Sequence, residues 1–410
     1  MNAFDVIIVG AGHAGTHCAL ALRKAKFEGS IAVVSEESDL PYQRPPLSKE
    51  YLAAERSFDE MRFHPQDAWQ EREITLIRGQ KVQSVDAGAH RIGLENGDSL
   101  SYGKLVWAAG GDARRLGCEG AALAGIHVVR KKTDVDAIKS ELADAQRVVV
   151  VGGGYIGLET AAVLRKAGKH VTVVEALDRL LARVAGHALS AFMADEHRAQ
   201  GVELVLGGVV ESFVGENGRV NAVKLADGCE IAADLVIVGI GIAPSVAPLR
   251  EAGAKGDNGV DVDALCRTSL ADVYAIGDCA RRANPFASGD AVRVESVQNA
   301  VEQAGIVACD ITGAAIPATA VPWFWSVQYD LRIQMAGLSN GHDDVIVRGD
   351  TTSRSFSIAY LKGQRLIGLD CINATKDFVQ GRMLVGGELI ADRSGLADPA
   401  IALKDLVSKV

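Results

Sequence analysis

The sequence predicts an α/β chain: two Rossmann-like dinucleotide-binding domains, followed by a smaller C-terminal α+β domain. Three observations carry this. A strand, a glycine turn, a helix and a second strand ending in an acid occur near the N-terminus. The same series recurs from about residue 148, and beyond residue 320 the pattern changes to short alternating runs. A length of 410 residues has room for all three domains, since one domain takes roughly 100–200 residues.

Residues 4–9 are an apolar, β-branched run of strand length. Gly10, Gly12 and Gly15 follow with the spacing Gly-x-Gly-x-x-Gly, Ala14 lies inside that fingerprint, and 13–26 reads as a helix with basic residues at its end. Residues 30–35 read as the parallel strand that follows, ending in Glu36 and Glu37. In this fingerprint Gly10 permits the tight turn, Gly12 lets the backbone approach a pyrophosphate, and Gly15 lets helix and strand pack closely. The helix start offers free N–H groups and a positive dipole end to phosphate. Glu36 lies 26 residues after Gly10, where a ribose hydroxyl needs an acceptor.

The second series has its strand at 148–151, then Gly152, Gly154, Tyr155, Ile156 and Gly157, a helix over 156–167, and a strand over 170–174 that ends in Glu175. Residues 240–244, with Gly241, close this middle segment. After it, 269–278 reads as a short strand that presents Asp278 on a glycine turn. Two dinucleotides imply a flavin and a nicotinamide, because a hydride passes from one ring to the other. A turn Asp can accept from the ribityl chain of FAD, which makes the first unit the flavin's and the middle one the nicotinamide's. At 331–335, 345–348, 356–361 and 366–372 the runs read as strands, with a hairpin turn at 362–364 and a helix over 374–385.

A net charge of −9 argues against nucleic acid as the main partner, because phosphate binding needs a basic face. The longest apolar run, 235–243, falls well short of the roughly 18 residues that span a bilayer. The first Lys or Arg is Arg23, so the N-terminus lacks the basic region of an export signal, and Ser408-Lys409-Val410 misses a peroxisomal signal by one residue. A cytoplasmic protein is expected, with no membrane partner. Seven scattered cysteines (18, 118, 229, 266, 279, 309, 371) include no Cys-x-x-Cys, hence no zinc knuckle, and no metal site is expected in the chain.

The motifs GAGHAG (10–15), LPYQRPPLSK (40–49), VVGGGYIGLE (150–159), YAIGDCA (274–280), RVESVQNAVEQA (293–304) and PWFWS (322–326) together resemble one family. It is that of the FAD-dependent, NADH-using ferredoxin reductases serving bacterial P450 and aromatic-ring dioxygenase systems. The resemblance covers essentially the whole chain and implies a glutathione-reductase-like nesting. FAD would be held by 1–112 and 240–320, NAD by 113–239, and a C-terminal α+β domain would occupy 321–410.

Carried over position by position, the resemblance implies that Arg44 reaches the FAD pyrophosphate and that Lys49 sits beside the flavin with Glu159 as its acid partner. It implies a backbone contact from Val82, in an edge-like strand at 81–85, to adenine. Val297 would offer a helix-start N–H to the flavin pyrimidine. Arg130 aligns with an arginine at the FAD domain junction, although Val129-Arg130-Lys131-Lys132 departs from the family's usual Leu-Arg-Thr. Trp325 would lie over the flavin edge. Glu175 would take both adenosine ribose hydroxyls and repel a 2′-phosphate, with Arg179 and Arg183 one and two helical turns further on; this favours NADH. Arg183 and Gly241 complete the nicotinamide-nucleotide set.

Disulfide reductases of this fold carry a redox pair near the flavin, and residues 40–50 contain no cysteine. Electrons then leave by another route, to an iron–sulfur partner, because the chain has no cluster ligands of its own. A transient, electrostatic partnership with a 2Fe–2S ferredoxin is expected, with a P450 or dioxygenase downstream. The docking candidates are 130–132, Arg281, Arg282, Arg293 and Lys404. A rubredoxin reductase or NADH:acceptor oxidoreductase of the same fold is the alternative enzyme. A signalling flavoprotein resembling apoptosis-inducing factor is the alternative of another class.

Overall fold

The computed structural model describes residues 3–387, 389–390 and 392–406; the Ser408-Lys409-Val410 end lies outside them. The chain divides into two compact units. One is built from residues up to Arg44, Phe58–Asp112 and Ala243–Phe324, and the other from Pro45–Ser57, Ala113–Ile242 and the chain from Trp325 on.

In the first unit the apolar run forms β1 (Ala3–Val9), and the glycine turn leads into α1 (His13–Lys24) and β2 (Ile31–Ser35). Then come β3 (Ile74–Arg78), β4 (Val82–Asp86), β5 (Arg91–Leu94) and β6 (Ser99–Trp107). They hydrogen-bond in the order β3-β2-β1-β6-β5-β4. Strand β1 is parallel to β2 and β6, and it is buried on both faces. Val6 and Ile8 pack with Cys18 and Leu22 of α1, while Ile7 and Val9 enter a second core with Leu105 and Trp107. That two-sided burial is why the run reads as continuously apolar.

The second unit continues with β7 (Ile126–Val128), α2 (Lys132–Leu142), β8 (Arg147–Val151), α3 (Tyr155–Lys166), β9 (His170–Glu175), α4 (His187–Ala199), β10 (Glu203–Leu206) and β11 (Leu235–Val238). Its sheet is parallel throughout, in the order β10-β9-β8-β11-β7. Arg179 and Arg183, counted in the sequence as one and two helical turns beyond Glu175, lie in bends and turns over 176–186, with Leu181 at φ +55°. The Arg179 guanidinium ties this segment together by donating to the carbonyls of Ala182 and Ala185 and to Ser190 Oγ, which satisfies backbone groups that a helix would have paired internally.

The chain then returns to the first unit with β12 (Val273–Ala275), which is parallel to β6, and α5 (Val297–Thr312), which packs on α1. The last sheet comprises β13 (Trp323–Gln328), β14 (Leu331–Gly337), β15 (Asp344–Arg348), β16 (Phe356–Lys362) and β17 (Arg365–Ile372). Its order is β13-β14-β17-β16-β15, and α6 (Thr375–Leu384) packs on β17 and β14. No helix among the described residues is long and apolar enough to cross a membrane.

Candidate functional site

In the first unit the turn between β1 and α1 has the geometry that an anion requires. Gly10 has φ +106°, which favours glycine, and a Cβ at Gly15 would overlap the Gly10 carbonyl oxygen. A Cβ at Gly12 would meet nothing within 4 Å, so space lies open in front of the turn. No side chain caps α1, and no acid stands in its first turn. By contrast, α5 is capped by Ser296, whose Oγ accepts the Asn299 N–H at 3.1 Å. Free N–H groups, a positive dipole end and open space suit a phosphate.

Beside this turn, Gly277 (φ +76°) comes so close to α1 that its Cβ would stand 2.9 Å from that of Ala14. Gln303 Oε1 accepts the Gly277 N–H at 2.7 Å, and Arg293 Nη1 donates to the Asp278 carbonyl at 2.8 Å. The Asp278 turn is thus fastened to α5 and to the α1 start. Arg44 pairs with Glu37 and donates to the Tyr42 hydroxyl at 3.0 Å, while Tyr42 donates to Glu37 at 2.6 Å. Neither Glu37 nor Tyr42 was singled out beside Arg44 in the sequence. Val82 lies buried on β4, the outermost strand, opposite Leu94; Glu36 is exposed just past β2, and Val297 is the first residue of α5.

In the second unit the β8–α3 turn repeats the device. Gly152 has φ +110°, a Cβ at Gly157 would overlap the Gly152 carbonyl oxygen, and one at Gly154 would meet nothing within 4 Å. Glu175 lies at the end of β9, as expected, and its carboxylate is already engaged: it accepts the Gly153 N–H at 2.6 Å and the Leu177 N–H at 2.9 Å. The Arg183 guanidinium lies against Gly241, where a Cβ would stand 3.3 Å from Nη2. Ile156 is exposed in the first turn of α3. Arg130 precedes α2, where its backbone N–H and that of Lys131 donate to Asp134, at 3.1 and 2.8 Å. Of the docking candidates, Arg282 is buried against Glu302 at 3.1 Å, so its charge is spent inside the core, and Arg293 pairs with Glu295 at 2.6 Å.

Lys49 and Glu159 meet in this unit. Pro45–Ser48 is a short 3-10 turn that places Lys49 against α3, and Lys49 Nζ donates to Glu159 Oε2 at 2.7 Å with both side chains largely buried. Ser48 Oγ donates to the same oxygen at 2.5 Å, and Ser326 Oγ donates to Oε1 at 2.7 Å. Glu159 therefore has donors on both oxygens, as a buried carboxylate needs. Trp325 is half-buried on β13, next to Ser326. The two serines were missed in the sequence. The signal for one was present at the end of PWFWS, where Ser326 and, just beyond the motif, Gln328 stand two apart on one strand face.

Tyr155 donates to Met335 Sδ at 2.7 Å, and burial, with Asp370 nearby, pushes its hydroxyl well above the usual value. Asp370 accepts from Tyr360 at 2.7 Å, and burial pushes its carboxyl up to about 7 from 3.8. Between these values the folded state binds more protons than the unfolded one, so the protein should lose stability as pH rises from about 4 to 7. Asp370→Asn should flatten that slope and gain, relative to the parent at pH 8, stability on the order of 2–4 kcal/mol. Parallel Tm–pH curves for parent and variant would sink this expectation.

The family described as "Pyridine nucleotide-disulphide oxidoreductase" matches residues 4–304, and the one described as "Reductase C-terminal" matches 323–407. The chain belongs to the pyridine nucleotide-disulphide oxidoreductase family. This oxidoreductase is 53% identical over 409 residues, covering 100% of this chain and 99% of the other, to the 5,5′-dehydrodivanillate O-demethylase ferredoxin reductase subunit of Sphingobium sp. (strain NBRC 103272 / SYK-6). It is 37% identical over 414 residues to putidaredoxin reductase CamA of Pseudomonas putida, covering 100% of this chain and 98% of the other. Among solved structures, it matches the ferredoxin reductase for the CYP199A2 system from Rhodopseudomonas palustris with a TM-score of 0.94 at 38% identity, over 100% of both chains.

The family's cofactors are FAD and NAD(H), and two uncapped helix starts behind open glycine turns fit two pyrophosphates. Among the described residues, no group of three or more His, Cys, Asp or Glu side chains could hold a metal ion.

Proposed function

We propose that the chain is an NADH-dependent ferredoxin reductase that passes single electrons to a 2Fe–2S ferredoxin feeding a P450 or a ring-hydroxylating or demethylating oxygenase. The carrying observation is the end-to-end match, C-terminal domain included, to proteins named as ferredoxin reductases. FAD, when bound, accepts a hydride as an electron pair and releases the electrons singly. The α1 start with Gly10, Gly12, Ala14 and Gly15 would hold its pyrophosphate, aided by Arg44, with Glu36 on the ribose and Asp278 on the ribityl chain. Val82, Arg130 and Val297 would contribute at its adenine, junction and pyrimidine ends.

In the middle domain, Gly152, Gly154, Tyr155, Ile156, Gly157, Glu175, Arg183 and Gly241 would hold NADH. Lys49, oriented by Glu159, would place its ammonium where negative charge develops on the flavin, and Trp325 would shield the ring. The domain division 1–112 with 240–320, 113–239 and 321–410 belongs to the same reading. A cytoplasmic location does too, supported by seven cysteines that are all free thiols, as a reducing compartment keeps them.

The test is anaerobic titration with NADH followed by stopped-flow mixing with candidate 2Fe–2S ferredoxins. Two electrons taken up per FAD and rapid ferredoxin reduction are expected; four electrons, or no ferredoxin reduced, overturns the proposal. A rubredoxin is the second candidate acceptor, because rubredoxin-NAD(+) reductase of Pseudomonas putida is 38% identical over 371 residues. Cytochrome c reduction with each carrier in turn separates the two.

Two further outcomes are expected. Ferredoxin reduction should slow as salt rises while flavin reduction by NADH barely changes, since docking charges are screened over about 8 Å at physiological ionic strength. A salt-independent rate with the true partner would show that docking is apolar. Glu175→Ala removes the proposed ribose acceptor and also frees the Gly153 and Leu177 N–H groups. It should weaken NADH use by roughly 1–3 kcal/mol and lower the NADH/NADPH preference, read as kcat/KM for both nucleotides. An unchanged ratio means that another residue discriminates.

A further inference from the structure

Behind the Lys49–Glu159 pair runs a line of polar side chains through the core of the second unit. Ser326 Oγ donates to Glu159 Oε1 at 2.7 Å, and Gln328 Nε2 donates to Ser326 Oγ at 3.1 Å. His197 Nε2 lies 2.8 Å from Gln328 Oε1, and the Tyr329 hydroxyl lies 3.0 Å from His197 Nδ1. Ser326, Gln328 and His197 are at most 1% exposed, and Glu159 is 3% exposed.

The donors all point one way. Gln328 Oε1 can only accept, so His197 carries its proton on Nε2 and accepts from Tyr329 on Nδ1. That tautomer holds the Gln328 amide with its NH2 toward Ser326. The Ser326 oxygen is then occupied as an acceptor, and its own proton is directed to Glu159. Burial holds His197 neutral by lowering its pKa, although Gln328 and Glu196 pull the other way.

Three elements far apart in sequence supply the line: α3 gives Glu159, β13 gives Ser326 and Gln328, and α4 gives His197. Tyr329 ends it at the β13–β14 hairpin with φ +56°, a left-handed conformation that a tyrosine adopts only at a cost. Buried polar groups of this kind add little net stability over apolar residues of the same volume, and they fix geometry where it matters.

We propose that Gln328 and His197 are positioning residues: acting through Ser326, they set the orientation of the Glu159 carboxylate and with it that of the Lys49 ammonium. The inference rests on the proposed place of Lys49 beside the flavin. It extends the site from one ion pair to a buried line reaching α4 and the β13–β14 hairpin.

The test uses the FAD-loaded protein and two readouts: the rate of flavin reduction at saturating NADH, and the flavin midpoint potential. Gln328→Met keeps the volume and removes the donor to Ser326; His197→Phe removes the donor to Gln328. Each should slow flavin reduction about ten-fold, with the apparent Kd for NADH within about two-fold of the parent, because the defect is one of placement and not of nucleotide binding. The potential should shift to more negative values as the ammonium loses its fixed position. His197→Gln, which restores a donor toward Gln328, should recover most of the rate.

If Gln328→Met fails to fold, Ser326→Ala decides through the same readouts. Parent-like rate and potential in folded variants, alongside a slowed Lys49→Met, would overturn the positioning role and leave the ion pair intact. A parent-like Lys49→Met would instead overturn the reading on which the inference rests.

Discussion

Lys49→Met and Glu159→Gln should each slow flavin reduction by NADH by about 10- to 100-fold while FAD stays bound. The pair is buried, with 12% and 4% of the two side chains exposed, and it is joined at 2.7 Å. Removing the ammonium takes away a positive charge in a site where water screens it poorly, so its effect on developing negative charge is large. Replacing the carboxylate leaves the ammonium without its counter-charge and free to swing, and a misplacement of about 1 Å is enough for a loss on the order of 100-fold. Glu159→Gln is the gentler change, because an amide oxygen can still accept from a serine. FAD content should hold in both, since the α1 turn and the Asp278 turn lie on other elements. Single-turnover anaerobic stopped-flow decides it, and rates within about two-fold of the parent in both variants would remove the pair from the mechanism.

Arg348→Met should cause the largest loss of stability. Arg348 is 1% exposed at the end of β15, where Nε donates to Asp377 at 2.8 Å. Its Nη1 donates to the Asp398 carbonyl at 2.6 Å, and Nη2 donates to that of Ile401 at 2.5 Å. One guanidinium thus ties α6 and the segment after Leu396 to the last sheet. Methionine fills the volume but strands a half-buried carboxylate, which among the described residues keeps the Ser357 hydroxyl at 2.9 Å, and it orphans the carbonyls. Breaking a buried pair in this way costs about 3–5 kcal/mol. Arg348→Met with Asp377→Asn should recover part of that loss, because the uncompensated charge is gone while the carbonyls remain unpaired. Thermal or urea unfolding of the three variants tests this; a single variant as stable as the parent would show that the tail is held by its apolar contacts alone.

The two nucleotide units were legible in the sequence because their constraints are local. A glycine is favoured where φ lies near +110° and required where a Cβ would strike a backbone carbonyl; Gly10 and Gly152 meet both conditions, and Gly15 and Gly157 meet the second. The strands around them are buried on both faces and so read as unbroken apolar runs. The helical spacing assumed for Arg179 and Arg183 does not hold because the hydrogen bonds of 176–186 run through the Arg179 side chain, and sequence spacing carries no sign of that.

By itself, then, the sequence determined the order of the elements, the two glycine turns and, through the resemblance of its motifs, Lys49 and Glu159 as a pair. Only the tertiary structure decided what surrounds that pair. Ser48 and Ser326 reach Glu159 across 111 and 167 positions of chain, and His197 reaches Gln328 across 131. Contacts at such separations follow from how helices and sheets pack, and a serine or glutamine inside a strand pattern gives no sign of its partner. The same holds for Glu175. Its place at a strand end follows from local pattern, but its grip on the Gly153 N–H exists only once β8 and β9 lie side by side.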